Sequence, residues 1–131
     1  MVYSVSYCRC DTIYGHVFRI LYMFNPNDMD LSEAIIRRHS VRRYTDTPIP
    51  PRLIDGLESL IDECNRTADL HMRLITDEPR AFGGLMARYG SFTGIRNYVA
   101  LAGPKGPSLD ERCGYYGEHL VLRAQQLGLN T

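Results

Sequence analysis

Three prolines in the stretch TPIPP (47–51) divide this chain more sharply than any other feature. Proline fixes φ, lacks an N–H and pushes the residue before it into extended geometry, so no helix runs through Pro48, Pro50 and Pro51. Proline is tolerated in the first turn of a helix, however, and a helix can start at the far end of the stretch. Directly downstream, in RLIDGLESLIDECN (52–65), Leu53, Ile54, Leu57, Leu60, Ile61 and Cys64 recur at helical spacing. The prolines therefore separate an upstream, largely polar segment from a long amphipathic helix.

Upstream, MDLSEAIIRRHS (29–40) has its own start signal. Asp30 with Glu33 three residues on reads as a capping box, with Ser32 as the rival cap, and Leu31, Ala34 and Ile35 are spaced for one buried face. Residues 1–28 lack a clean period and end in the breaker NPND (25–28), so 1–28 is expected to be an atypical leader and 29–131 the well-specified domain. Further along, LHMRLIT (70–76) alternates as a strand does, and Pro79 opens a short helix with Phe82, Leu85, Met86 and Tyr89 on one side. NYVALAG (97–103) is a continuous apolar run, as expected of a strand covered on both faces. Ser108 with Glu111 forms a second capping box. It opens a helix to about Leu127, with Cys113, Tyr116, Gly117, Leu120, Ala124 and Leu127 on one stripe and Gly128 as its stop.

Composition narrows the function classes. With 15 basic and 15 acidic residues the net charge is zero, whereas a nucleic-acid binder shows a basic excess over a whole face. Cys8-x-Cys10 has no second pair and makes a poor metal site, while Cys64 and Cys113 sit on helix faces as small hydrophobes. Reduced cysteines point to a cytoplasmic setting. The apolar patch HVFRILYMF (16–24) is too short to span a bilayer and is interrupted by Arg19, so no membrane partner is expected.

One charge cluster stands out: RRHSVRR (37–43) holds four arginines and a histidine in seven positions. Cations in the last turn of a helix offset the negative end of its dipole, which accounts for Arg37, Arg38 and His39 without any ligand. A second account starts from alternation: with 40–44 extended, Ser40, Arg42 and Tyr44 share one face and Arg38 reaches in from the helix end. A hydroxyl beside a forked guanidinium suits bidentate binding of a phosphate. Nucleic acid could use such a patch too, but no second basic stretch or aromatic platform accompanies it.

MDLSEAIIRRHSVRRYTDTPIP (29–50) resembles the N-terminal signature of the FMN-dependent nitroreductase family. GYYGEHLVLRAQQLGLNT (114–131) is similar to that family's central helix, and FGGLMARYGSFTGIRNYVALAG (82–103) to the middle of a bacterial subgroup. The resemblance implies an α+β fold with a central, mainly antiparallel sheet flanked by helices, two entwined subunits in a homodimer, and FMN in the dimer interface. It places Arg38, His39, Ser40 and Arg42 against FMN, with Arg38 and Ser40 at the phosphate or ribityl chain and Arg42 near the N1/O2 edge. Asn65 corresponds to an amide residue on the flavin's pyrimidine edge. The implied activity is ping-pong transfer of hydride from NAD(P)H through the flavin to a small electron-poor acceptor, a nitroaromatic or a quinone. No dedicated catalytic acid–base pair is implied, and His71 and His119 read as a strand-edge and an exposed helix residue. The family places a further strand after LGLNT, so the fold is expected to be incomplete in this chain. A non-catalytic fragment acting as a binding or assembly module is the alternative.

Overall fold

The computed structural model describes residues 2–4, 6–7, 29–80 and 92–131. Five short strands and three helices follow one another: β1 (Val2–Ser4), β2 (Ser6–Tyr7), α1 (Leu31–Arg37), α2 (Pro51–Ala68), β3 (Arg73–Ile75), β4 (Tyr98–Ala100), α3 (Leu109–Gln126) and β5 (Leu129–Asn130). The strands form two antiparallel sheets, β1-β4-β3 and β2-β5, and the helices pack beside them in an α+β arrangement. β4 is central, with Val99 opposite both Tyr3 and Leu74. In the smaller sheet Tyr7 faces Leu129 and Ser6 faces Asn130. Strands β1 and β2 thus join the leader residues to the body of the fold.

α2 begins with Pro51 in its first turn and ends where Asp69 adopts φ 49°. Its buried residues, Leu53, Leu57, Ile61, Cys64 and Ala68, form one stripe, with Ile54 and Leu60 partly buried at its flanks. That stripe meets Leu70, Met72, Val99 and Leu101 from the sheet side and Cys113, Leu120, Ala124, Leu127 and Leu129 from α3 and β5. At about 25 cal/mol per Å² of apolar surface removed from water, this contiguous cluster is the dominant stabilising term. Gly128, at φ 77°, turns the chain out of α3 so that Leu129 returns to the core.

Several expectations change. Val99 is buried but Tyr98 and Ala100 are only half-buried, so β4 is not covered on both faces. An antiparallel sheet with its core on one side produces this alternation. In α1 only Ala34 is buried, while Leu31 and Ile35 are 49% and 58% exposed, so the expected three-residue face reduces to one residue. The Asp30 cap forms, its Oδ1 accepting from Glu33 N–H at 2.8 Å, and Ser32 lies inside the helix. Ser108 is the N-cap of α3 but its side chain makes no capping bond, so the second box does not close. α3 is also buried more broadly than one stripe, since Val121 and Leu122 are covered too. The helix expected from Pro79, with Phe82, Leu85, Met86 and Tyr89, lies outside the described residues, as do Cys8 and Cys10. Among the described residues no helix is long and apolar enough to cross a membrane.

Candidate anion seat at the end of the first helix

The arginine cluster begins where α1 stops. Arg38 is the C-cap, at ψ 130°, and the chain leaves the helix extended from that point. Backbone bonds then hold the segment from both sides. Val41 N–H donates to Thr131 O at 3.0 Å, Thr93 N–H to Arg42 O at 2.9 Å and Tyr44 N–H to Thr93 O at 2.9 Å, around a parallel bridge between Arg43 and Thr93. The segment is therefore fixed by the turn at 93–94 and by the residue after β5. Gly94 is required for this contact: it sits at φ 77°, and a Cβ there would run into the Tyr44 carbonyl.

The cluster divides between two tasks. Arg37 pairs with Glu33 one turn back at 2.5 Å, and His39 Nδ1 donates to the Arg37 carbonyl at 3.3 Å. Both finish the helix end, as the dipole account requires. Arg38 instead turns toward Ser40, its Nη1 lying 3.5 Å from Ser40 Oγ, and its Nε lies 3.8 Å from Glu118 Oε1 on α3. Arg42 and Arg43 are exposed and make no ion pair among the described residues. Arg38 and Ser40 are thus brought together, with Arg42 two residues on and without an ion pair among the described residues. The Tyr44 hydroxyl donates back to Val41 O at 3.0 Å.

Asn65 is engaged with the backbone of the chain. From α2 its Oδ1 accepts from Met72 N–H at 2.7 Å and its Nδ2 donates to Met72 O at 3.0 Å. It carries the chain from the helix into β3. His71 and His119 are both exposed. Among the described residues no group of three or more His, Cys, Asp or Glu could hold a metal ion.

Sequence reasoning did not find a second charged centre. Arg96 bonds to Asp77 and lies 3.5 Å from Asp46, and these three border a cleft of about 310 Å³ that also includes Thr47, Thr76 and Asn97. Asn97 is buried, and its Oδ1 accepts from Asp77 N–H at 3.1 Å. The two carboxylates hold the Arg96 guanidinium protonated more firmly than usual, the Asp77 hydrogen bond first and its charge second. Its positive charge is answered by two carboxylates, so this cleft offers an anion less than the Arg38–Ser40 seat, where Arg38 has one longer ion pair, to Glu118. No spacing rule links positions 46, 77 and 96, so only the fold shows them together.

A family profile described as "Putative TM nitroreductase" matches residues 30–131. No curated protein and no solved structure matches the chain.

Proposed function

The chain belongs to the TM nitroreductase family, and from that premise we propose that it is an FMN-dependent oxidoreductase acting on a small electron-poor acceptor such as a nitroaromatic or a quinone. FMN held there would supply the redox chemistry, in a ping-pong exchange between NAD(P)H and the acceptor. The observation that carries the reading is the 3.5 Å approach of Arg38 Nη1 to Ser40 Oγ beside an Arg42 with no counter-ion among the described residues. The Arg38 guanidinium N–H groups and the Ser40 hydroxyl form a donor set suited to a phosphate monoester, and the Arg42 charge lies two residues further along.

In this reading Arg38 and Ser40 hold the phosphate or the adjoining ribityl hydroxyls. Arg42 would lend the bound flavin positive charge that favours its reduced state. His39 orients the segment through the Arg37 carbonyl, and Asn65 anchors α2 to β3. Two subunits of a homodimer would complete the cofactor's enclosure.

Purified protein titrated with FMN should develop a shifted visible absorption band and quenched flavin fluorescence. Arg38→Ala and Ser40→Ala should each weaken FMN more than riboflavin, by about tenfold for the arginine, as expected for loss of a charge-assisted hydrogen bond. Protein that leaves FMN fluorescence unchanged at every concentration would overturn the reading and leave the non-catalytic module in its place.

A further inference from the structure

The Arg38–Ser40 seat already has a carboxylate beside it. Glu118 sits on the exposed side of α3, and its Oε1 is 3.8 Å from Arg38 Nε. The pair is loose: the Glu118 side chain is 52% exposed and that of Arg38 30%. An exposed pair at this separation adds little to stability, so it does not lock the arginine. It does place a negative charge beside the same guanidinium that meets Ser40. Glu33, on α1, is taken up by Arg37 at 2.5 Å.

Resting on the proposed flavin site, we infer that Glu118 is a specificity-determining residue. Its carboxylate is a place-holder for the ligand's anion and must swing aside when a phosphorylated ligand occupies Arg38 and Ser40. α3 carries Glu118 between the buried positions Gly117 and Leu120, so the backbone at this point is fixed and only the side chain has to move. Glu118 thereby weakens binding of phosphorylated ligands while leaving uncharged ones unaffected. It acts on the charge of the ligand and has no part in electron transfer.

The test is fluorescence titration of FMN and of riboflavin, its phosphate-free analogue, against wild type, Glu118→Gln, Glu118→Asp and Arg38→Ala. Glu118→Gln should tighten FMN by about fivefold, the order expected when one exposed unit charge is removed a few ångströms from a phosphate in water. Riboflavin affinity should not move, Glu118→Asp should resemble wild type, and added salt should shrink the FMN difference by screening. Circular dichroism melting should show the same fold in all four proteins. If wild type binds FMN and Arg38→Ala weakens it while Glu118→Gln matches wild type or binds more weakly, this inference is wrong and the flavin site stands. If FMN binds none of the proteins, the flavin site itself is wrong and the inference goes with it.

Discussion

Asn65, which the resemblance expects at the flavin's pyrimidine edge, is held within the fold. Both heavy atoms of its amide are bonded to the Met72 backbone. Asn65→Ala should therefore strand a backbone N–H and a C=O and cost about 1–3 kcal/mol, read as a lowered urea midpoint. Cys64, on the same helix, matches its expected role as a small hydrophobe at 2% exposure. Burial first, and the Glu63 carboxylate second, push its thiol above the ordinary range. A raised folded-state value means that the unfolded chain ionises first, so the contribution is fully present at neutral pH. It declines as pH climbs from the ordinary thiol value toward the raised one. Thiol reagents at neutral pH should label Cys64 only on unfolding, and the alkaline loss of stability should be smaller in Cys64→Ala.

At the scale of elements, α1 is the weakly supported one. It has seven residues and one buried side chain, and its N-terminal end is held by the Asp30 cap and by Gln126 Nε2 donating to the Met29 carbonyl at 2.8 Å. Such a helix depends on its neighbours, and so does the arginine segment that leaves it. The Gly94 turn is one of those supports. Gly94→Ala combines an unfavourable left-handed φ with collision against the Tyr44 carbonyl, so it should both lower the melting temperature and weaken FMN binding. If FMN affinity were unchanged, the bridge between Arg43 and Thr93 would not be what holds the seat.

At the scale of the whole molecule, β5 ties everything together. Leu129 is 1% exposed in the core cluster, Asn130 pairs with Ser6, and Thr131 accepts from Val41 N–H. One strand thereby joins the core, the leader strand and the arginine segment. Leu129→Ala should cost about 2–5 kcal/mol and also loosen the Val41 contact. Amide exchange at Val41 should then quicken more than the change in global stability explains.

How much of this was legible depended on whether the signal was local. The break at Pro48–Pro51, the stripe of α2, the Asp30 cap and the Gly128 stop were all readable from the residues, because each follows from backbone geometry over a few positions. The pairing of Arg38 with Ser40 was half-readable, since alternation placed the residues but not the partner Glu118 on α3. Exposure of Leu31 and Ile35, the half-covered β4 and the meeting of Asp46, Asp77 and Arg96 were not readable at all. By itself the sequence determined where helices start and stop and which faces are apolar. Only the tertiary structure decided which of those faces find a partner and which charges are neutralised, because both depend on segments that are distant in the chain and brought into contact by folding.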